Sequence, residues 1–201
     1  MKDTYKTITH NFEGEIFKDR GSKFIGHVFP VIDEDEVKLH IQELKVKHHK
    51  ARHWCYAWRI GKEQIRFRAN DDGEPSNSGG QPILGQLVSF DVTNVLVVVV
   101  RYFGGTKLGV GGLINAYREG AKLALEVSDI VKRTIDIHFK LTFEYEHLDK
   151  VMRIIKERQL VIISRKMEMN CEYVISVRKK EAEEIKLVFE NLRCLEIKTL
   201  D

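Results

Sequence analysis

The apolar and polar positions between residues 23 and 127 predict strands and helices that follow one another without strict alternation. Strands are predicted at 23–31, 52–60, 64–69 and 95–102, and helices at 33–47, 83–88 and 113–127. The second and third strands form a hairpin through Gly61-Lys62-Glu63, and the apolar run at 95–100 indicates a strand buried on both faces. This mixture of elements predicts the α+β class.

The pattern starts again after residue 133. Ser128-Asp129 and the charges that follow mark a boundary, so we predict two domains, 1–133 and 134–201. In the second domain, strands are predicted at 138–145, 161–169, 172–177 and 195–200, and helices at 148–157 and 181–192. The order β-α-β-β-α-β is that of a ferredoxin-like domain. Because the last glycine of the chain is Gly120, this domain has no glycine-rich loop, and we interpret it as a small binding or docking domain.

A glycine-rich segment follows the apolar strand. Residues 101–113 read Arg-Tyr-Phe-Gly-Gly-Thr-Lys-Leu-Gly-Val-Gly-Gly-Leu. Such a loop exposes backbone N–H groups and the helix start adds partial positive charge, so the segment predicts an anion site. Its candidate residues are Gly104, Gly105, Thr106, Lys107, Gly109, Gly111 and Gly112. The Walker nucleotide pattern is missing because Leu108 follows Lys107. The alternative is that the glycines only permit a tight turn and close packing.

A second loop, at 71–84, is rich in carboxylates and turn residues. Asp71, Asp72 and Glu74 are candidates for a general base or for ligands that hold Mg²⁺ through water, and the sequence indicates no other cofactor. Ser76 and Ser78, with the backbone of the glycines that follow, are candidates for binding an oxyanion. The alternative is a solvated loop that caps a helix beginning near Pro82.

Bulk composition narrows the class of protein. Three cysteines without a Cys-x-x-Cys pair predict neither a disulfide framework nor a zinc site, which favours a reducing cytoplasm. The N-terminus lacks an apolar leader, and the run at 95–100 is too short to span a bilayer, so we expect a soluble protein with no membrane partner. The formal net charge of +3 is too small to identify a partner by itself.

Positive charge is concentrated between residues 45 and 68, where eight Lys and Arg residues face a single Glu. Alternation along 52–60 places Trp54, Tyr56 and Trp58 on one face, which we expect to be core. The other face would then carry Arg59 together with Arg66 and Arg68 of the next strand, a surface suited to phosphates and unpaired bases. The full set of candidates for nucleic-acid binding is Arg59, Arg66, Arg68, Lys50, Arg52, His53 and Arg101. The alternative is a solvated basic surface.

Three strings together resemble the Impact family in its bacterial, YigZ-like form. They are Ala-Arg-His-Trp-Cys-Tyr-Ala at 51–57, Asp-Asp-Gly-Glu-Pro-Ser at 71–76 with Pro-Ile-Leu at 82–84, and Arg-Tyr-Phe-Gly-Gly-Thr-Lys-Leu-Gly at 101–109. The resemblance implies an N-terminal domain similar to the second domain of ribosomal protein S5. It also implies a C-terminal domain similar to the last domain of elongation factor G. Eukaryotic relatives act as regulators of translation through partner proteins.

Two functions follow as expectations. The first is a phosphate- or RNA-binding protein that acts in or regulates translation, with RNA, the ribosome or a translation-related protein as partner. The second is a metal-assisted hydrolase or phosphotransferase acting on a phosphorylated or acidic small molecule through the carboxylates of the 71–84 loop. A fold this widely shared does not decide between them, so the decision rests on the site.

Overall fold

The computed structural model describes residues 3–200, which divide into two compact units. One unit comprises residues 5–133, and the other comprises residues 3–4 together with 134–200. The buried apolar clusters follow the same division, because two of them lie within the first unit and a third lies within the second. The mixed α+β class is confirmed.

The first unit is built around one antiparallel sheet. The strands of this unit are β1 (Thr4–Ile8), β2 (Phe12–Glu13), β3 (Phe17–Asp19), β4 (Ser22–Pro30), β5 (His53–Ile60), β6 (Arg66–Asn70), β7 (Val95–Tyr102) and β8 (Ile130–Thr134). Its helices are α1 (Glu34–Lys47), α2 (Gly80–Ser89) and α3 (Gly109–Glu126). The main sheet has the order β2-β4-β7-β5-β6, with β3 also paired to β4, while β1 and β8 form a separate pair.

The central strand β7 is covered on both faces, as its uninterrupted apolar run predicts. Val97 and Val99 belong to the core under α2 and α3, whereas Val98 and Val100 belong to the core on the side of α1. All four side chains have no exposed surface. β-Branched side chains suit such a position because they pack well on a pleated surface.

Helix α1 begins where its charge pattern predicts. The Asp33 carboxylate accepts hydrogen bonds from the backbone N of Asp35 and of Glu36, both at 2.9 Å. Acidic residues occupy the first turn, and Lys45 and Lys47 lie in the last turn. Both placements oppose the partial charges at the helix ends, so they stabilise the helix.

The start of α3 differs from the prediction. The helix begins at Gly109 rather than at Leu113, so Gly109, Gly111 and Gly112 lie in its first turn instead of in a loop. Glycine has a low helix propensity, which is why the sequence pattern placed these residues outside the helix. Burial of Leu108 and Leu113 on either side of them favours the longer helix.

The second unit has the predicted ferredoxin-like order. Its elements are β9 (Asp136–Phe143), α4 (Leu148–Glu157), β10 (Val161–Met167), β11 (Cys171–Arg178), α5 (Ala182–Glu190) and β12 (Leu195–Leu200). The sheet order is β10-β11-β9-β12 with antiparallel neighbours. Its core includes Phe139, Leu141, Ile155, Ile175 and Phe189. The likeness to the last domain of elongation factor G stays a prediction.

The helices are amphipathic rather than apolar throughout. The longest, α3, has 18 residues and buries Leu113, Ala116 and Tyr117 while Arg118 lies exposed. Across residues 3–200, no helix is both long enough and apolar enough to cross a bilayer.

Helix α3 lies very close to β4. A Cβ atom added at Gly26 would overlap the carbonyl oxygen of Gly120 and the methyl group of Ala124. Gly26 is therefore required by close packing of the helix on the sheet rather than by a turn.

Gly26→Ala is expected to lower the free energy of unfolding by about 1 to 3 kcal/mol, the usual cost of overpacking a core. Urea unfolding followed by circular dichroism measures this change. Gly85→Ala is the control, because Gly85 lies exposed within α2 and nothing surrounds its Cβ position. The free energy of unfolding of this control should rise by about 0.5 to 1 kcal/mol, because Ala has a higher helix propensity than Gly. Equal effects of the two substitutions would contradict the close approach of α3 to β4.

A buried histidine on β4 makes stability depend on pH. His27 is 3% exposed, its Nδ1 lies 3.6 Å from the Glu13 carboxylate, and its ring lies 5.0 Å from that of His48. Burial lowers the pKa of His27 to about 4, with His48 and Lys47 acting in the same direction and Glu13 opposing them. An imidazole with a lowered pKa binds its proton more readily in the unfolded chain than in the folded protein.

The stabilisation that depends on neutral His27 is therefore complete above the unfolded pKa of about 6.5 and is lost as the pH falls toward 4. Between pH 7.5 and pH 5, wild type should lose on the order of 2 kcal/mol more than His27→Gln does. Urea unfolding of both proteins at the two pH values measures the difference. Identical pH dependence in the two proteins would show that His27 is not the group responsible.

Candidate anion-binding site

A cavity of about 420 Å³ lies in the first unit where the start of β5, the end of β7, the start of α3 and the acidic loop (residues 71–79) meet. The predicted site residues that line it are Arg52, His53, Glu74, Arg101, Lys107 and Gly109. The other lining residues are Pro75, Phe103, Leu108, Val110 and Leu113. The remaining candidates are not among its lining residues: Lys50, Arg59, Arg66, Arg68, Asp71, Asp72, Ser76, Ser78, Gly104, Gly105, Thr106, Gly111 and Gly112.

Strand pairing brings the cationic residues of this cavity together. His53 at the start of β5 lies directly opposite Arg101 at the end of β7. The backbone N of Arg52 donates to the Arg101 carbonyl at 3.2 Å. Because directly paired residues share a face of the sheet, His53 and Arg101 point to the same side. Residues nearly fifty positions apart thus meet at one edge of the sheet.

Arg101 and Glu74 form a buried ion pair. Their side chains are 6% and 4% exposed, and the Arg101 Nη1 donates to the Glu74 Oε1 at 2.5 Å. The hydroxyl of Tyr117 donates to the same carboxylate oxygen at 2.8 Å. The Nε of Arg101 is buried and has no hydrogen-bond partner within residues 3–200. A guanidinium that is buried with one donor group unused has capacity for a further acceptor.

The ring of His53 is held in one orientation. Its Nδ1 donates to the backbone carbonyl of Asp72 at 2.9 Å, and its Nε2 lies 3.9 Å from the Glu74 Oε1. A hydrogen bond from Nδ1 to a carbonyl sets which nitrogen carries the proton in the neutral ring. His53 thus presents Nε2 toward the Glu74 carboxylate beside the cavity.

Two neighbouring residues stay neutral. Burial raises the pKa of the Cys55 thiol and the pKa of the Tyr117 hydroxyl well above their ordinary values. The Cys55 thiol donates to the Asp71 carbonyl at 2.9 Å. A protonated, buried thiol is not a nucleophile, so the placement of Cys55 is that of a structural residue.

The three carboxylates of the acidic loop do not form one ligand set. Asp71 accepts hydrogen bonds from the backbone N of Asn77, Gly79 and Gly80, at 2.8 to 2.9 Å, and so caps the start of α2. No group of three or more His, Cys, Asp or Glu residues in the described part of the chain is arranged to hold a metal ion. The capping interpretation of this loop therefore fits the structure.

The other carboxylates are also engaged. Asp72 accepts from the backbone N of Trp54 at 2.8 Å, and its other oxygen lies 3.7 Å from the Lys45 ammonium. Glu74 is paired with Arg101. Backbone amides and cations are thus the partners of these carboxylate oxygens. Buried backbone N–H groups need hydrogen-bond acceptors, and the carboxylates of this short polar loop supply them.

The serines of the acidic loop do not reach the cavity. The Ser78 side chain is fully buried, and its hydroxyl donates to the Pro75 carbonyl at 2.6 Å. Ser76 is exposed outside the cavity lining. The expectation that both bind an oxyanion beside the glycine-rich segment is therefore not supported by their placement.

The glycine-rich segment divides into three parts. Gly104 packs on the backbone of Gly21 so closely that an added Cβ atom would overlap it, and its N–H donates to the Ser22 hydroxyl at 3.1 Å. Gly105 and Gly109 have positive φ angles of 89° and 75°. Gly104 is thus a packing residue, as the alternative interpretation has it, whereas Gly105 and Gly109 permit a backbone turn that L side chains disfavour.

The remaining part is the first turn of α3, which has no capping side chain and no acidic residue. Gly109 and Val110 of this turn line the cavity, and the exposed Lys107 precedes them. The first N–H groups of a helix lack partners within the helix and carry partial positive charge. The start of α3 and Lys107 therefore both carry positive charge on this side of the cavity.

The predicted basic sheet face is wrong. Arg59 lies opposite Phe67 across the hairpin, whereas Arg66 and Arg68 lie opposite residues of β5 that face α1. Arg59 is therefore on the other face of the sheet from Arg66 and Arg68. The reason is strand pairing: a connection with an odd number of residues, whether the three predicted or the five at 61–65, pairs even-numbered residues with even-numbered residues. Arg66 and Arg68 therefore share a face with Trp58 and Ile60 and cannot lie beside Arg59.

The three arginines also have different surroundings. Arg59 donates to the carbonyls of Leu87 and Val92 at 3.2 and 2.8 Å, so it ties the end of α2 to the sheet. Arg66 is exposed and pairs with Glu34 of α1 at 3.2 Å. Arg68 is exposed. Such a distribution leaves the cavity, rather than the hairpin, as the place where cations converge.

Five lining residues were not among the predicted site residues, and Phe103 is the one that lies beside the arginines. Phe103 is 41% exposed and lies between the glycines and β7. The guanidinium carbons of Arg52 and Arg101 are 6.0 and 5.5 Å from the centre of its ring. The signal that marks Phe103 is an exposed aromatic ring beside two arginines. Because the Arg52 and Phe103 side chains meet only in the folded protein, the sequence alone does not show it.

Fold and cavity together define a two-domain α+β protein with a cationic cavity in its first unit. The family model of the Impact N-terminal domain matches residues 20–125. The Impact family member YvyE of Bacillus subtilis is 35% identical over 181 residues, which cover 90% of this chain and 83% of that protein. The chain belongs to the Impact family.

Two further comparisons agree. The Impact family member YigZ of Escherichia coli is 36% identical over 138 residues, which cover 67% of this chain and 65% of that protein. The chain is also similar to a crystal structure described as that of a hypothetical protein, with 26% sequence identity and a TM-score of 0.72. The match covers 100% of this chain and 99% of the chain in that structure. The similarity to this solved structure thus extends over the whole chain.

Glu74→Gln is expected to lower the free energy of unfolding by about 3 to 5 kcal/mol, because it leaves the Arg101 charge buried without an anionic partner. Tyr117→Phe removes only one hydrogen bond to the same oxygen and should cost about 1 kcal/mol. Urea unfolding of both variants measures the two costs. A Glu74→Gln cost no larger than that of Tyr117→Phe would show that the ion pair does not hold this site together.

Proposed function

We propose that this protein binds RNA and acts in or regulates translation, and that a phosphate of the RNA occupies the cavity of the first unit. The observation that carries the proposal is the convergence of Arg52, Arg101 and Lys107 with the uncapped start of α3 in one cavity. Glu74 is the one carboxylate among the lining residues, and it is already engaged by Arg101. The cavity therefore has cationic capacity beyond its internal ion pair.

The roles of the three cations differ with their burial. Arg101 lines the cavity and is held rigidly by Glu74, so its guanidinium loses little conformational entropy when a phosphate binds beside it. Arg52 and Lys107 are exposed and can adjust to the ligand. The rigid guanidinium sets the position of the phosphate, and the two exposed cations add affinity and screen its charge.

Long-range electrostatic attraction also favours RNA as the ligand. The basic excess between residues 45 and 68 includes Lys45 and Lys47 in the last turn of α1, Arg52 at the cavity, and the hairpin. Exposed cations outside a site steer an anionic polymer toward it, and their contribution falls with ionic strength. A short RNA is better suited to such a surface than a single phosphate ion, because only a polymer reaches the site and the surrounding cations together.

The translation setting comes from the family rather than from the cavity. Membership of the Impact family supplies the expectation of a role in translation, with the ribosome or a translation-related protein as the partner. The metal-assisted enzyme is the weaker alternative, because Asp71 and Asp72 are engaged with backbone amides and Glu74 with Arg101.

Lys107→Ala is expected to weaken binding of a fluorescent ten-nucleotide single-stranded RNA about 10- to 100-fold at low salt, the range for loss of a charged hydrogen bond. Fluorescence anisotropy measures the affinity. The control is Arg68→Ala, which removes an exposed cation that lies outside the cavity. The control should change affinity by less than about threefold, since it acts only through long-range attraction.

Equal losses of RNA affinity in Lys107→Ala and Arg68→Ala would contradict the cavity as the binding site, and no RNA binding by wild type would contradict the proposed function itself.

Co-sedimentation with ribosomes over a salt series then tests the translation setting. Wild type should sediment with ribosomes at low salt and be released as salt rises, and Lys107→Ala should be released at lower salt.

A further inference from the structure

The cavity is not only cationic. Pro75, Leu108, Val110 and Leu113 line it together with the half-exposed ring of Phe103. Val110 and Phe103 are 53% and 41% exposed, so apolar surface remains open to a ligand. A phosphate ion gains nothing from apolar surface. The lining therefore points to a ligand that joins an anionic group to a flat or apolar one.

We propose that the cavity holds one unpaired nucleotide of single-stranded RNA, with its base stacked on Phe103 and its phosphate at Arg101, Lys107 and the start of α3. This inference rests on the proposed function, because it names the unit of RNA that occupies the same site. Unpaired bases are commonly recognised by stacking on aromatic rings or on the plane of an Arg guanidinium. Phe103 and Arg52 offer one of each.

The spacing of Phe103 and Arg52 suits a base inserted between them. The Arg52 guanidinium carbon lies 6.0 Å from the centre of the Phe103 ring. Stacked planar groups are separated by about 3.5 Å, so a base with a neighbour on each face needs about 7 Å. Since the Arg52 side chain is exposed, an outward shift of about 1 Å admits the base.

The size of the cavity limits the ligand to a small unit. Its volume of about 420 Å³ is near the lower end of the range for small-molecule sites, which suits one nucleotide. A paired base is already stacked and hydrogen-bonded in its duplex and would have to be extruded at a cost of a few kcal/mol. The site should therefore prefer single-stranded RNA to double-stranded RNA of the same sequence.

Phe103 substitutions test the stacking directly. Phe103→Ala and Phe103→Leu should each weaken binding of the ten-nucleotide single-stranded RNA by about 5- to 100-fold, because neither side chain offers an aromatic face for stacking. Leu restores the apolar volume, so a loss in Phe103→Leu identifies the aromatic ring itself as the cause. Phe103→Tyr should stay within about threefold of wild type. The control is Phe67→Ala, which removes an exposed phenyl ring outside the cavity and should leave the affinity unchanged. Circular dichroism melting confirms that each variant is folded.

Competition against the labelled RNA separates the base from the phosphate. AMP should compete at least tenfold better than ribose 5-phosphate with wild type, and the two should compete equally with Phe103→Ala. Inorganic triphosphate, which has no base, should compete equally well with wild type and with Phe103→Ala.

The stacking proposal is overturned if Phe103→Ala binds the RNA as wild type does, or if ribose 5-phosphate competes as well as AMP. Lys107→Ala distinguishes this failure from failure of the proposed function. If Lys107→Ala weakens the RNA and Phe103→Ala does not, the cavity binds phosphate without reading a base. If neither substitution has an effect, RNA does not bind in this cavity, and both proposals are wrong.

Discussion

The ion pair between Arg101 and Glu74 is the interaction on which the cavity depends. It joins the end of β7 to the acidic loop, and the Tyr117 hydroxyl adds the middle of α3 to the same carboxylate. A buried guanidinium is tolerated only with an anionic partner, so the loop must fold over the sheet for Arg101 to lie inside the protein. Once this pair forms, the start of β5, the loop and α3 enclose one space. Arg101 itself lines that space, and its Nε is buried without a hydrogen-bond partner among residues 3–200.

Most of the fold follows from local patterns in the sequence. The apolar run of β7 and the amphipathic helix α4 are read correctly because each has a strong period over many residues. The strands β1, β2, β3 and β8 were missed because each has at most five residues, too few to show a period against its flanks. The start of α3 was placed late because Gly111 and Gly112 argue against a helix, whereas burial of Leu113 favours it.

The site was only partly predictable, since its residues meet through tertiary contacts. Lys107 and Arg101 were found because the glycine-rich segment is chemically conspicuous. The pairing of Arg101 with Glu74 joins residues 27 positions apart in the chain, and no local pattern records it. Arg59 lies on the opposite face from Arg66 and Arg68 because of how β5 and β6 pair, and alternation along each strand taken separately does not give that pairing. Phe103 was not among the predicted site residues, because its exposure and its neighbours depend on where β5 and α3 begin.

The location of the bound RNA is the central claim, and backbone amide NMR measures it most directly. In a titration of ¹⁵N-labelled protein with a ten-nucleotide single-stranded RNA, this account predicts the largest shift changes at residues 103–112. These amides belong to Phe103, the Lys107 segment and the first turn of α3. The changes should follow a single binding curve and weaken as salt is raised. The largest changes on β6 or in the second unit, with residues 103–112 unaffected, would contradict the account.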